Sequence, residues 1–261
     1  MLLSRISKPA AITFDLWQTL IFEGDGSARS RQRRELRSES TVDALSGRGQ
    51  SVDREAVNGA FMELGEQIAA GHDRGLDSYF DVWIERLIER LDPGMADRIG
   101  ATGLEAVGRV IDQAFTDSPP QLLEGSLELL DALSARGLKM GLISNTGLTS
   151  LGTYEQWFRK IGLLGRLDHI SLSTDLALAK PAKTIFDLTL NALGVLPARA
   201  LHVGDNMHTD VAGAEAAGMS TVWVRGGFAS PVNTSQDPDY AVDSVLELMP
   251  VVEQWLETLY D

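Results

Sequence analysis

A carboxylate stands directly after the first apolar run of the chain. Residues 10–14 are apolar apart from one threonine, Asp15 follows them, and Thr19 comes four positions later. Open α/β sheets bind ligands beyond the carboxyl ends of their strands, so a carboxylate in this position faces a ligand. An ionised Asp can attack an electrophilic centre and form an acyl phosphate or an ester. Asp15 is therefore a candidate nucleophile.

Three later segments place further polar side chains at predicted strand ends. One apolar stretch ends in Ser144 and Asn145, a second leads to Lys180, and a third ends before Asp205, with Asp210 five residues beyond. The strands of a parallel sheet end at the same edge, where ligands bind. We therefore predict that all these side chains share one rim with the first carboxylate.

The elements that must position these residues follow from the spacing of apolar side chains. Strands are predicted over residues 10–14, 140–144, 169–172, 200–204 and 220–224, and helices over residues 126–136, 149–161, 182–193, 210–217 and 242–259. Such alternation requires parallel pairing with right-handed crossovers. Between the first two strands, helical periodicity occupies residues 51–70, 79–91 and 95–115. The predicted fold is α/β, a doubly wound, Rossmann-like parallel-sheet core with an inserted all-helical cap domain.

The order of Asp, Ser, Lys and an Asp pair, at these spacings, resembles the four motifs of the haloacid dehalogenase-like (HAD) superfamily. The resemblance extends over nearly the whole chain, from about residue 12 to residue 224. It implies a core domain of residues 1–22 and 119–261 and a helical cap domain of residues 23–118. A Ser-Pro-Pro segment at residues 118–120 is the predicted hinge.

The resemblance also implies roles for the rim residues. Asp15 would be the nucleophile, Thr19 would orient it, and Lys180 would place fixed positive charge against it and the transferring phosphoryl group. Ser144 and Asn145 would hold phosphate oxygens at the start of the next helix. Lys180 would also contact the substrate.

A Mg²⁺ ion is implied by the same resemblance, with Asp15, Asp205, Asp210 and the backbone carbonyl of Trp17 as its ligands. Mg²⁺ prefers hard oxygen ligands and is usually held by one or two carboxylates with water and phosphate. Like charges crowded at one rim raise each other's pKa, which a cation offsets. The expected activity is Mg²⁺-dependent hydrolysis of a small phosphorylated metabolite through an aspartyl phosphate.

Trp17 departs from the family pattern. Phosphatases of this superfamily carry a second Asp two positions after the nucleophile, as general acid and base, a role worth about 10²–10⁴-fold in rate. An indole cannot take that role. His72 and His208 are candidates to replace it, and the Trp17 ring is expected to line the substrate pocket.

Two other reactions and one ligand-binding role are compatible with parts of the pattern. The 2-haloacid dehalogenases of the superfamily carry an aromatic residue at the position of Trp17 and need no metal, but they lack an acidic residue at the position of Asp205. Phosphonate cleavage needs a cap lysine, and residues 51–118 contain none. A catalytically weak member that binds a phosphorylated ligand is the third. Among these alternatives, the retained carboxylates favour the phosphatase.

The composition limits partners and location. The formal net charge of −14 disfavours nucleic acid and anionic membranes, and the absence of cysteine excludes disulfides and thiolate sites. No window is apolar enough for a membrane span, so we expect a cytoplasmic enzyme, monomer or homodimer, with a small-molecule substrate. The one dense basic run, residues 29–37, is either a solvated helix face with Arg–Glu pairs or the source of a contact to a second anionic group of the substrate.

Overall fold

A parallel sheet forms the centre of the molecule. The computed structural model describes residues 8–24, 27–225 and 237–259. The strands in chain order are β1 (Ala11–Phe14), β2 (Ile21–Phe22), β3 (Gln121–Leu122), β4 (Lys139–Ser144), β5 (His169–Leu172), β6 (Ala200–Gly204), β7 (Ser220–Val224) and β8 (Tyr240–Val242). Six of them form the sheet in the order β5-β4-β1-β6-β7-β8, with every neighbouring pair parallel. The predicted parallel-sheet core is thus confirmed, with β1 in the middle.

Helices cover both faces of the sheet. In chain order they are α1 (Ala28–Ser46), α2 (Arg54–His72), α3 (Phe80–Leu91), α4 (Met95–Asp117), α5 (Ser126–Ser134), α6 (Leu151–Lys160), α7 (Ser173–Leu176), α8 (Lys183–Leu193), α9 (Gly213–Ala217) and α10 (Leu248–Thr258). Apolar side chains of α5, α6 and α10 pack on one face of the sheet, and those of α8 and α9 pack on the other. Successive side chains of a strand point to opposite faces, so both faces of each central strand are buried.

The segment between β2 and β3 is all-helical, as predicted, and it holds one more helix than the apolar periodicity indicated. Helix α1 carries the basic run, for which a helix face was one of the two interpretations. Helices α1 to α4 bury an apolar cluster of their own, and β2 pairs antiparallel with β3 where the chain leaves and re-enters the core. The division into a core domain and a cap domain at residues 22 and 118 stays a prediction.

Two predicted helices are realised differently. The tail, predicted as one helix over residues 242–259, begins with β8 and a 3₁₀ turn at Val245–Glu247, and only α10 is α-helical. The prediction was wrong there because a three-residue edge strand is too short to show a period in the sequence. The helix predicted over residues 210–217 starts with the π-helical segment Met207–Ala212 before α9. In the described part of the chain, no helix is both long and apolar enough to cross a membrane.

Candidate active site

Asp15 lies at the carboxyl end of the central strand and lines a cavity of about 790 Å³. Its backbone N–H donates to the carbonyl oxygen of Val203 at 2.8 Å and so continues the pairing of β1 with β6. The chain then turns sharply, since Gln18 has a φ of +58° and its N–H bonds to the carbonyl oxygen of Ile21 at 2.7 Å. This turn takes the backbone away from the sheet immediately after the carboxylate.

Lys180 bridges two buried carboxylates. Its Nζ lies 2.6 Å from Oδ1 of Asp15 and 2.5 Å from Oδ1 of Asp210. The side-chain amide of Asn145 fixes the lysine backbone, donating to the Lys180 carbonyl oxygen at 2.8 Å and accepting from its N–H at 2.7 Å. Asn145 also lines the cavity, but its amide already has these partners, and the predicted contact with phosphate stays a prediction.

Both carboxylate oxygens of Asp210 accept hydrogen bonds. Oδ2 accepts from the N–H of Asn206 at 2.9 Å, while Oδ1 lies beside Lys180 and 3.3 Å from Nε2 of His202. A Cβ on Gly204 would lie 2.3 Å from Cγ of Asp210, so only glycine leaves room for this carboxylate. Burial opposes ionisation, but Lys180 and His202 outweigh it and hold the pKa of Asp210 below its usual range.

Asp205 lies beside this bridge, where the neighbouring carboxylates affect it more than Lys180 does. Burial and the neighbouring carboxylates of Asp15 and Asp210 raise the pKa of Asp205 to about 7. Burial also raises the pKa of Asp15 to about 6, although Lys180 opposes the shift. The protein alone therefore disfavours the simultaneous ionisation of these carboxylates near neutral pH.

The three carboxylates fit a divalent cation. One oxygen each of Asp15, Asp205 and Asp210 lies within 4.8 Å of the other two, close enough for one ion to contact all three. Carboxylate oxygens are ligands that Mg²⁺ prefers. A cation there would favour the ionised forms that burial and mutual repulsion disfavour.

Thr19 and Ser144 are not part of the cavity wall. Both side chains are buried, and neither hydroxyl has a hydrogen-bond partner within the described residues. The orienting role predicted for Thr19 and the phosphate contact predicted for Ser144 stay predictions.

The helical insert supplies another part of the cavity wall, through Ser27, Ser30, Ala69, His72 and Asp73. Trp17 also lines the cavity, at the boundary between insert and core. The Arg33 guanidinium lies 5.7 Å from the centroid of its ring, so the indole contacts a cation of the insert.

The inward-facing arginines of the basic run tie the insert to the core. Arg33 is buried, pairs with Glu23 and donates to the carbonyl oxygen of Ser118 at 2.6 Å. Arg37 donates to the carbonyl oxygen of Leu148 at 2.5 Å. None of the arginines of α1 is among the residues that line the cavity. The basic run therefore has a structural role that does not depend on substrate binding.

The chain is similar to known proteins over most of its length. A model of the HAD-hydrolase-like family matches residues 177–248. Glyceraldehyde 3-phosphate phosphatase of Methanopyrus kandleri is 26% identical over 249 residues, which cover 94% of this chain and 97% of that protein. Phosphoserine phosphatase of Thermus thermophilus is 34% identical over 116 residues, which cover 43% of this chain and 44% of that protein. The chain belongs to the HAD superfamily.

Solved structures of other proteins have the same fold as this HAD protein. A 2-haloacid dehalogenase from Pseudomonas syringae pv. Tomato superposes with a TM-score of 0.67 at 19% identity, covering 95% of this chain and 100% of that one. At such low identity the likeness concerns the fold alone. The predicted family and fold are confirmed, and this HAD protein is an enzyme of the hydrolase class.

Two residues that support the site of this HAD hydrolase were not identified from the sequence. His202, in β6, places Nδ1 2.8 Å from the hydroxyl of Thr13 and Nε2 beside Asp210, and burial lowers the pKa of His202. The indole N–H of Trp223, in β7, donates to the carbonyl oxygen of Asp205 at 2.9 Å. A histidine inside an apolar strand was a signal for the first, whereas nothing in the sequence marks the second.

Proposed function

We propose that this hydrolase is a Mg²⁺-dependent phosphatase that acts on a small phosphorylated metabolite through an aspartyl phosphate on Asp15. The observation that carries the proposal is the convergence of three carboxylates and Lys180 at one end of the cavity. Asp205, whose pKa is raised to about 7, is a costly neighbour for a nucleophile unless a cation binds there. The relatives named for hydrolysis of glyceraldehyde 3-phosphate and phosphoserine favour a phosphate ester as the substrate.

In the first step, a carboxylate oxygen of Asp15 attacks the phosphorus of the substrate. The new bond joins that oxygen to phosphorus, and the bond from phosphorus to the leaving alcohol oxygen breaks. Lys180, 2.6 Å from Asp15, favours the ionised nucleophile, and its positive charge stabilises the negative charge of the phosphoryl group. A Mg²⁺ ion held by Asp15, Asp205, Asp210 and the carbonyl of Trp17 would neutralise phosphoryl charge.

In the second step, water attacks the aspartyl phosphate, the bond from Asp15 to phosphorus breaks, and inorganic phosphate leaves. The hydroxyl of Ser144 and the region of Asn145 are the proposed holders of the phosphate oxygens, and Thr19 the proposed neighbour that orients the nucleophile. Both steps involve a proton, which must reach the leaving alcohol and leave the attacking water. The indole of Trp17 can do neither.

The helical insert is the proposed cap of this enzyme, residues 23–118 over a core of residues 1–22 and 119–261. Seven of its described residues line the cavity that holds Asp15, so it contacts whatever fills that cavity. Caps of this kind exclude water and select the substrate. Substrate choice is therefore expected to depend on the insert.

One observation favours a second candidate, metal-independent dehalogenation of a 2-haloacid. Trp17 provides no acid, and halide needs no proton to leave. In that reaction Asp15 would displace halide from carbon and form an ester, which water then hydrolyses. The presence of Asp205 argues against it, because no cation would balance this carboxylate.

A parallel assay separates these candidates. Purified protein is offered mixed phosphomonoesters and 2-haloacids, each with Mg²⁺ and with EDTA, and Asp15→Asn serves as the blank. Phosphate release that requires both Mg²⁺ and Asp15 is expected. Halide release that persists in EDTA would identify a dehalogenase instead. The absence of both phosphate and halide in every condition would favour a ligand-binding member of the superfamily.

A further inference from the structure

The insert contributes a histidine–carboxylate pair to the cavity, in which only the carboxylate is fully buried. His72 is the last residue of α2 and lines the cavity, with Nε2 2.8 Å from Oδ2 of Asp77. The side chain of Asp77 is fully buried, whereas that of His72 keeps 15% of its surface exposed. The remaining ring nitrogen, Nδ1, has no partner among the residues that the structure describes and is not sealed from solvent.

The carboxylate of this pair is held in one orientation. Oδ1 of Asp77 accepts from the N–H of Ser78 at 2.7 Å and from the indole N–H of Trp83 at 2.6 Å. A carboxylate so fixed accepts an N–H from Nε2 and thereby sets the tautomer and orientation of the imidazole. Nδ1 is then the nitrogen that can exchange a proton with a group in the cavity.

The loop that carries Asp77 is docked on the loop that carries Lys180. Leu76 forms an antiparallel bridge with Leu178, and the N–H of Ala179 donates to the carbonyl oxygen of Gly75 at 3.1 Å. Gly75 has a φ of +73°, and a Cβ there would lie 2.7 Å from that of Ala182. The close approach therefore requires glycine, and it fixes the histidine pair relative to the lysine that contacts Asp15.

Other groups near the cavity are less suited to proton transfer. Nε2 of His208 donates to the backbone carbonyl oxygen of Asp73 at 3.2 Å, and His208 is not among the cavity-lining residues. Glu23 lines the cavity, and Arg33 pairs with Oε1 of its carboxylate, while Oε2 is buried without a partner among the described residues. Asp205 belongs to the carboxylates proposed to hold the cation. Among the described side chains of the wall, His72 combines a free ring nitrogen with a fixed orientation.

We propose that His72, oriented by Asp77, is the general acid and base that Trp17 does not provide. The inference rests on the proposed phosphatase function. In the first step, Nδ1–H of the imidazolium passes its proton to the alcohol oxygen as the bond from phosphorus to that oxygen breaks. In the second step, neutral Nδ1 takes a proton from the water that attacks the aspartyl phosphate, which restores the imidazolium. The hydrogen bond from Nε2 to Asp77 persists throughout.

The test uses His72→Gln in the full-length protein with Mg²⁺. A glutamine amide can keep the hydrogen bond to Asp77 but cannot carry a proton between the two steps. His169→Gln is the matched control, because His169 begins β5 and does not line the cavity. Thermal melts of both variants show whether either change disturbs the fold.

Two substrates separate a proton-transfer role from a structural one. An alkyl phosphate needs a proton on its leaving oxygen, whereas 4-nitrophenyl phosphate releases a stable anion. For His72→Gln we expect kcat/KM to fall about 10²–10⁴-fold on the alkyl ester and by less than about tenfold on the nitrophenyl ester. Loss of the base should also give a burst of nitrophenolate, equal to the enzyme present, followed by slow turnover. Asp77→Asn should shift both readouts in the same direction, by less.

Equal losses of kcat/KM on the two esters, or no loss on the alkyl ester, would overturn the proposal for His72. If the unaltered protein releases phosphate from neither ester, the proposed phosphatase function fails and this inference fails with it. Turnover by the unaltered protein combined with equal losses in His72→Gln would reject the histidine alone. The two failures are therefore distinguishable.

Discussion

The sheet rim and the helical insert both contribute polar groups to one cavity, but they hold them differently. At the rim, Lys180, Asp15 and Asp210 are almost wholly buried, and the described contacts join their charged atoms directly to one another. In the insert, the imidazole of His72 has one side-chain partner, Asp77, and its other ring nitrogen has none among the described residues. The rim is a closed network of opposite charges, whereas the insert offers a group that is free to exchange a proton.

The difference teaches which changes the site can tolerate. Removing one member of a buried ion pair leaves its partner uncompensated in a medium of low dielectric constant, which is strongly destabilising. At His72, a change to glutamine can keep the hydrogen bond to the fully buried carboxylate of Asp77, so little stability should be lost. We therefore expect substitutions at the rim to damage both fold and activity, and His72→Gln to damage activity alone.

The largest expected effect on stability comes from Lys180→Met. The change leaves Asp15 and Asp210 without their shared cation, and we expect a loss of about 3–5 kcal/mol in the free energy of unfolding. Urea unfolding in EDTA at neutral pH measures it. Lys139→Met is the matched control: Lys139 pairs with Asp168 at 2.9 Å, but both side chains are more than a third exposed, so its loss should cost about 0–1 kcal/mol. Equal losses for the two lysines would contradict the closed network.

The second effect concerns metal and pH. In the metal-free protein the pKa of Asp15 is raised to about 6 and that of Asp205 to about 7, so the folded state holds more protons than the unfolded state between about pH 4 and 7. Their contribution to stability therefore falls as pH rises through this window. Mg²⁺ needs the ionised forms and should stabilise more at pH 8 than at pH 5; at pH 8 and a hundredfold excess over its Kd, its stabilisation should be about 2.7 kcal/mol.

Thermal melts in EDTA and in Mg²⁺ at both pH values measure this difference. His202 contributes with the opposite sign, because its lowered pKa removes stability as pH falls below its ordinary value. The comparison of the unaltered protein with Asp205→Asn isolates the contribution of the Asp205 carboxylate to stability and to the Mg²⁺ response. The variant should be more stable than the unaltered protein in EDTA at pH 8 and should lose most of the Mg²⁺ response. A full Mg²⁺ response in Asp205→Asn would remove this residue from the cation site.

The sequence was informative for the rim and much less so for the insert, for a physical reason. A polar residue after an apolar run is a local signal, and parallel topology brings such strand ends together, so Asp15, Lys180 and Asp210 were predicted as neighbours. The pairing of His72 with Asp77 depends on how a loop docks against Leu178, which no periodicity encodes. The same holds for Asn145, whose amide meets the Lys180 backbone 35 residues away.

Steric tolerance at the rim gives a third prediction. Gly204→Ala places a Cβ against the Asp210 carboxylate, and relief of that overlap requires the carboxylate to move away from Lys180. We expect a loss of about 1–3 kcal/mol in unfolding free energy and a strong loss of phosphatase activity. In Gly152→Ala the new Cβ has no atom within 4 Å, and α6 should gain rather than lose stability. If both variants behave alike in chemical denaturation, the packing argument at Gly204 is wrong.

The smallest effects test whether the basic run serves the fold or the substrate. Arg33→Gln removes the ion pair with Glu23 and the hydrogen bond to Ser118, and it should cost about 1–3 kcal/mol because those groups are left poorly satisfied. Arg34 is exposed on the same helix, so Arg34→Gln should change stability by less than about 0.5 kcal/mol. Neither arginine lines the cavity, so at a temperature where both variants stay folded, KM should move little in either. A several-fold rise in KM for Arg34→Gln with stability unchanged would show that the insert presents a charge to the substrate, and the open side of the cavity would then serve binding as well as proton transfer.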